Sequence, residues 1–205
     1  MHGTKEEVAI VNMAYLVEWF QRNYPQMHQA LLACNHNLDT DHLNPYHLES
    51  DCWSHTMMVC KVAELSGYDK TVLIAALLHD IGKPSCREIN PRNGHVRFFG
   101  HEEVSAQMAV EVLEKMQQEG MVTASESEEV LMLIRHHGFF YTHTQKGALL
   151  ETFGDDIVFC RHLVQLVRAD SLGRFAPDMT DEARFSMLFE EIEEFASKKR
   201  SACVY

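Results

Sequence analysis

Residues 73–83 read LIAALLHDIGK, and the reading of this stretch decides the fold. Val72, Ala75, Ala76 and His79 recur at spacings of three and four, so the spacing predicts a buried helix with His79 on its apolar stripe. Asp80 follows about 100° further round the helix. Gly82-Lys83-Pro84 then turns the chain. A histidine and a carboxylate at the inner end of a buried helix are costly to leave unpaired. A divalent cation satisfies both at once. A core histidine bonded to a neighbouring capping aspartate satisfies them too, and the dipeptide alone does not choose.

Upstream, Ser50 or Asp51 caps a helix over Glu49 to Leu65, where His55, Met58, Val59, Val62 and Leu65 share a stripe, so His55 points inward. Gly67 ends that helix and Asp69 caps the next. Glu6 to Asn23 is amphipathic, Pro25 breaks it, and Gln26 to Ala33 forms a short helix. CNHNLDTDHLNP (34–45) is polar and turn-rich and reads as a solvated loop. A surface metal site built from its His36, Asp39, Asp41 and His42 is the alternative.

Downstream, Asn93-Gly94 marks a turn within the irregular stretch 85–100, with room for a short hairpin. His101-Glu102-Glu103 starts a helix to about Glu119, its carboxylates where the helix dipole favours them. Ser125 and Glu128 have capping-box spacing for a helix to His137, with Gly138 to end it. Val130, Leu133, Ile134 and His137 form its stripe, and His136 sits beside it. Phe139 to Gln145 connects to a short helix over Lys146 to Thr152. Asp155 to Asp170 is long, with Phe159, Leu163, Leu166, Val167 and Asp170 on one face. Thr180 caps a last helix to about Ser197. No alternating strand pattern of useful length appears. The expected fold is all-α, a single-domain multi-helix bundle over 46–197, with a helical extension (1–45) packed on it and a mobile tail (198–205).

At 46% hydrophobic and 23% charged, the composition is that of an ordinary globular chain. No run of about 18 apolar residues occurs, so no membrane span is expected. Met1 to Glu7 is polar, so no signal peptide is expected. The six cysteines form no C-x-x-C, which fits reduced thiols in a cytoplasmic protein. A net charge of −12 excludes a broad basic surface for duplex DNA, while a local Arg/Lys cluster can still hold a phosphate. Histidine is over-used, at 13 residues, and several stand at the ends of apolar stripes.

The polar residues that end or interrupt buried stripes are His55, His79, Asp80, His101, His136 or His137, and Asp170. Imidazoles and carboxylates suit borderline divalent metals, and facing helices can bring them together. With WSHTMMV, ALLHDIGKP, FFGHEEVSA, LIRHHG and RADSLGR, the chain resembles the HD-domain superfamily of metal-dependent phosphohydrolases. Within that superfamily it is similar to the HD module of tRNA nucleotidyltransferases and stand-alone relatives. The likeness spans roughly Ser50 to Arg174. The roughly 45 residues ahead are too few for a nucleotidyltransferase domain, so end-addition to tRNA is not expected.

The resemblance implies an HD-type bundle with a metal site in its core, where His55, His79, Asp80 and Asp170 bind one metal. It implies a second ion where His101 and one or both of His136 and His137 join in, with Asp80 as the bridge; otherwise His101 only contacts a substrate phosphate. The ion or ions would be Fe, Mn, Co, Ni, Zn or Mg. Such an ion draws the pKa of water toward about 7 and polarises a phosphoryl oxygen. Asp80 and Lys83 are then the catalytic candidates, and Lys83, Arg87, Arg97 and Arg174 the candidates for the substrate phosphate. The expected reaction is hydrolysis of a phosphomonoester or phosphodiester of a small nucleotide or an RNA end. A di-iron HD-type oxygenase and a non-catalytic nucleotide sensor are the alternatives.

Overall fold

The computed structural model describes residues 12–39, 44, 47–145, 147–175 and 180–202. In chain order these form α1 (Met13–Asn23), α2 (Pro25–Ala33), α3 (Cys52–Leu65), α4 (Lys70–Leu78), α5 (Lys83–Cys86), β1 (Glu88–Ile89), β2 (Val96–Arg97), α6 (His101–Gln118), α7 (Ala124–His136), α8 (Phe139–Thr142), α9 (Ala148–Phe153), α10 (Ile157–Leu172) and α11 (Thr180–Ala202). The fold is an all-α bundle with one two-stranded hairpin, β1 antiparallel to β2. Among the described residues no helix is long and apolar enough to cross a membrane.

Helix α4 is the hub. Every residue from Thr71 to Leu78 is buried, so the helix has no polar face and must be enclosed on all sides. It packs against α3, α7 and α10, with α1 also in contact. Outside that inner group, α6 lies on α7 and α11 on α10. Trp19 and Trp53 are buried in the same core.

Local chemistry sets most of the boundaries. Asp51 caps α3 by accepting from Ser54 N at 2.8 Å, and Asp69 caps α4. The capping box of α7 lies two residues earlier than Ser125 and Glu128. Thr123 Oγ1 accepts from Glu126 N at 3.2 Å, and Glu126 Oε2 accepts from Thr123 N at 2.7 Å. The connection expected at 139–145 contains the one-turn helix α8. At the far end α11 continues to Ala202, past Ser197. Lys199 holds that last stretch by donating to Gly154 O at 2.8 Å. Of the helix expected from Glu6, residues 6–11 lie outside the described residues.

The stretch 73–83 departs from a continuous helix. Helix α4 stops at Leu78, and His79 to Gly82 make successive tight turns, with Ile81 N on Leu78 O (3.3 Å) and Lys83 N on Asp80 O (3.0 Å). Pro84 has no N–H to continue the ladder and instead stands in the first turn of α5. The turn carries Asp80 to the interior beside His79. Gly82 makes this possible. A Cβ there would lie 2.5 Å from Ser105 N and 2.9 Å from Val104 C, and Gly82 N donates to Ser105 Oγ at 2.9 Å. The first turns of α6 therefore press directly on the His79-Asp80 turn. Gly82 has φ −84°, which alanine tolerates, so Gly82→Ala isolates the clash. The variant is expected to lose about 1–3 kcal/mol of stability, the usual cost of overpacking, by urea denaturation. A second close approach joins α10 to α3: a Cβ on Gly173 would lie 2.7 Å from Val59 Cα, so the end of α10 rests on α3.

Candidate metal centre

Five elements deliver side chains to one buried volume. Helix α3 supplies His55, the turn after α4 supplies His79 and Asp80, and α6 supplies His101 as its first residue. His137 follows the last residue of α7, and Asp170 lies in the last turn of α10. His55, His79, Asp80, His137 and Asp170 are all buried, and His101 is partly buried.

The backbone fixes three of the four imidazoles. His79 Nδ1 lies 2.9 Å from Ala76 O, His101 Nδ1 2.8 Å from Phe98 O, and His137 Nδ1 2.6 Å from Ile134 O. In each case the acceptor is the carbonyl three residues back. A carbonyl only accepts, so Nδ1 carries the proton and Nε2 presents a lone pair. That assignment makes the interior short of donors. His101 Nε2 and His137 Nε2 stand 3.1 Å apart, lone pair to lone pair. His79 Nε2 and Asp80 Oδ1 are buried without a hydrogen bond, while Asp80 Oδ2 has the Lys83 ammonium 2.7 Å away. Only a cation or an added proton resolves such an arrangement.

The donors sort into two groups, His55, His79 and Asp170, and Asp80, His101 and His137, each with its donor atoms within 4.8 Å of one another. Asp80 faces both. Its Oδ2 lies 3.6 Å from His55 Nε2 and 3.2 Å from His79 Nε2. Its Oδ1 lies 3.2 Å from His101 Nε2 and 3.9 Å from His137 Nε2. His55 Nε2 bonds Asp170 Oδ1 at 2.9 Å. Nitrogen and oxygen donors of this kind fit borderline divalent ions, and these clusters could hold one or more.

The electrostatics agree with that fit. Burial pushes the Asp80 carboxyl up, yet His79 and Lys83 hold it well below the ordinary carboxylate range. Burial likewise opposes ionisation of Asp170, and the His55 hydrogen bond holds it well below that range. Burial, with His101 and His79 beside it, pushes His137 down to about 3, so its ring is a neutral donor. Lys83 Nζ lies 2.7 Å from Asp80 Oδ2. Burial lowers the Lys83 pKa, but the Asp80 charge outweighs it and the ammonium stays charged.

His136 is not in this volume. Its ring lies 5.0 Å from Phe153 and 6.5 Å from Phe159, centroid to centroid, on another side of α7. His137→Ala is therefore expected to lower metal occupancy, whereas His136→Ala leaves it intact; elemental analysis of the two purified variants checks this. Of the phosphate candidates, Arg87 donates from Nε to Asn35 O at 2.9 Å and does not line the central cavity. Arg97 lines that cavity and also pairs with Glu88 at 2.8 Å. Arg174 lines an adjoining cavity, where its Nη2 donates to Tyr141 Oη at 3.4 Å.

The polar loop differs most from expectation. Asn35 bridges Asp51 in antiparallel fashion, and His36 is fully buried. His36 Nε2 lies 3.4 Å from Lys83 Nζ and 3.6 Å from Cys52 Sγ. His47 Nδ1 bonds Glu49 Oε1 at 2.7 Å, and His55 Nδ1 lies 3.1 Å from the same oxygen. Glu49 thus faces the outer nitrogen of a candidate ligand, the position that orients such rings. His36, His47 and Glu49 also form a compact donor group. The two imidazoles stack at 9° with centroids 4.5 Å apart, so their in-plane lone pairs cannot meet at one ion. Asp41 and His42 lie outside the described residues. Sequence reasoning missed Glu49 and His47 because both follow a polar run; the H-x-E spacing just ahead of the His55 helix is the one signal they leave.

A cavity of about 190 Å³ opens over this centre, lined by Asp80, Lys83, Arg97, His101, His137 and Asp170 among others. A family model described as HD domain matches residues 52–193, more than half of the chain. The chain belongs to the HD domain family. This HD domain is similar to the "Multifunctional CCA protein" of Burkholderia orbicola, at 29% identity over 141 residues, which cover 65% of this chain and 32% of that protein. The protein of the same name from Cupriavidus metallidurans is 35% identical over 103 residues, 50% of this chain and 23% of its own. That of Methylobacillus flagellatus is 34% identical over 93 residues, 45% and 21%. The chain thus spans about a third or less of the length of these curated relatives.

Proposed function

We propose that this HD domain is a metal-dependent phosphohydrolase that cleaves a phosphomonoester or phosphodiester of a nucleotide or RNA end. One observation carries the reading: a single buried carboxylate, Asp80, turns one oxygen to each of two histidine-rich donor groups while Lys83 stands 2.7 Å from it at a cavity wall. His55, His79 and Asp170 would hold one ion, His101 and His137 a second, and Asp80 would bridge them. Divalent ions at such a centre supply Lewis acidity, polarising a phosphoryl oxygen and making water a nucleophile near neutral pH. The chain's own groups do the rest. Lys83 is a buried, charged ammonium that can hold a non-bridging phosphate oxygen, and Arg97 adds a second cation at the rim. Phe98 lies under Lys83, with Nζ 5.4 Å from the ring centroid, and fixes its direction.

The likeness to the multifunctional CCA proteins supports a nucleotide or RNA-end substrate, and the net charge of −12 supports a short one. The cations at the cavity wall favour an anionic substrate. Metal analysis of the purified protein, followed by a screen of nucleotides and cyclic nucleotides with manganese, cobalt and nickel, tests the proposal. Phosphate release that depends on the added metal is the expected result. A metal-loaded protein that takes up oxygen and releases no phosphate from any of these compounds overturns it.

A further inference from the structure

A second cavity, of about 530 Å³, adjoins the one over Asp80, and the two share Asn44, His47, His137, Tyr141 and Asp170 as walls. Their charges are distributed in a telling way. Lys83 and Arg97 line the first, Arg174 and Arg184 the second. Among the described lining residues the acidic groups are Asp80 and Asp170, both members of the donor groups. The chain carries 30 acidic against 18 basic residues, so a lining whose other charges are all positive runs against its own bias. Such a lining concentrates anions.

The two pairs of cations line different cavities. Arg184 belongs to α11, and its guanidinium lies 5.5 Å over the Phe140 ring, with Nη2 donating to Phe140 O at 3.3 Å. Arg174 follows α10 and reaches Tyr141 Oη. Phe140, Val167 and Phe185, all buried, supply apolar surface in the same cavity as this arginine pair. Beyond Arg184 the sign reverses. The next groove, about 400 Å³, shares Phe140 and Arg184 but is lined by Glu190, Glu191 and Glu194. An extended polyanion would be repelled there, while a ligand that ends at Arg184 would not.

We infer that the site takes a small phosphate ester bearing a second anionic group, with one anion beside Lys83 and the other at Arg174 and Arg184. The body of the ligand lies against Phe140, Val167 and Phe185. The inference rests on the phosphohydrolase reading only for which anion reacts; the binding of two anions stands apart from it.

Adenosine 3′,5′-bisphosphate is the probe, against adenosine 3′-monophosphate and 5′-monophosphate. Binding is titrated on the full chain before and after chelation, and turnover is measured with manganese. The bisphosphate is expected to bind roughly tenfold tighter than either monophosphate, the scale of one charge-assisted arginine contact. Arg184→Ala is expected to weaken the bisphosphate roughly tenfold and the monophosphates by less than about threefold, and Arg184→Lys to keep part of the preference. Arg184 is exposed, so the variants should fold, which circular dichroism checks. Equal losses on all three ligands, or no preference in the parent protein, overturn the inference. So does affinity that climbs steadily with the length of a 5′-phosphorylated oligoribonucleotide, since the ligand would then be an RNA strand. Lack of turnover on these three compounds does not touch the anion pair, which the titrations decide; the phosphohydrolase reading falls only with the wider screen of nucleotides and cyclic nucleotides.

Discussion

Asp80→Ala is expected to strip metal from the protein and to lower turnover by roughly 10³-fold or more, the scale of several kcal/mol of lost charge stabilisation. The size follows from position. Among the described residues Asp80 is the carboxylate that faces both donor groups, with oxygens 3.2 Å from His79 Nε2 and 3.2 Å from His101 Nε2. Its removal also has a structural cost that a metal-site argument alone would miss. Lys83 is buried, and Asp80 Oδ2 lies 2.7 Å from its ammonium. Without Asp80 that charge loses the carboxylate it is paired with, and breaking a buried pair from one side costs roughly 3–5 kcal/mol. The helical fold should persist at lower stability. Adding Lys83→Met removes the orphaned charge, so the double variant should recover most of the stability in urea denaturation and none of the metal. Full metal occupancy in Asp80→Ala would refute the centre. Recovery of metal along with stability would show that Asp80 acts through folding and not as a ligand.

How far the sequence could lead depends on whether a residue announces itself by periodicity. His55, His79 and Asp170 each end or interrupt an apolar stripe, and a stripe is legible because burial of one helix face is a local pattern. The pair at 136 and 137 shows the same logic at its limit. Adjacent residues differ by about 100° around a helix; His137 continues the stripe Val130, Leu133, Ile134, but the sequence leaves one or both of the pair as candidates, and the structure brings 137 near Asp80. The break of α4 after Leu78 is less legible. Its cause is contact between Gly82 and Ser105, and no local pattern carries a contact across 23 residues.

Within 34–45, the reading as a solvated loop breaks down at His36 for a related reason. Its polarity reads as solvation, yet His36 is buried because Cys34, Asn35 and His36 fold back on Ser50 to Cys52, with Cys52 N on Cys34 O at 2.9 Å and His36 N on Ser50 O at 3.1 Å. Polar residues can be interior when other polar residues meet them, and composition counts residues without knowing their partners. Arg184 is not among the residues that the sequence singles out, because an arginine within a helix leaves no local sign of a site. Only the position of α11 against α8 and α10 sets it at a cavity wall.

Lys83→Ala should separate substrate handling from metal binding. In the metal-free protein the ammonium is a resident cation beside Asp80, held charged because the carboxylate outweighs the penalty of burial. A divalent ion arriving at Asp80 must compete with that charge. Deleting it should therefore leave metal affinity unchanged or raise it, by titration with manganese after chelation. Catalysis should move the other way. A buried ammonium at the cavity wall is preorganised for a phosphate oxygen, and losing one such donor typically costs roughly 10²–10³-fold in turnover. Arg97, at the rim and paired with Glu88, is less buried and cannot take its place. The expected signature is thus a chain that binds metal at least as well as its parent and hydrolyses far more slowly. A fall in metal affinity would mean that Lys83 braces the Asp80 turn and has been assigned the wrong task. Unchanged turnover with unchanged metal would mean that the phosphate is held elsewhere, with Arg174 the next cation to test.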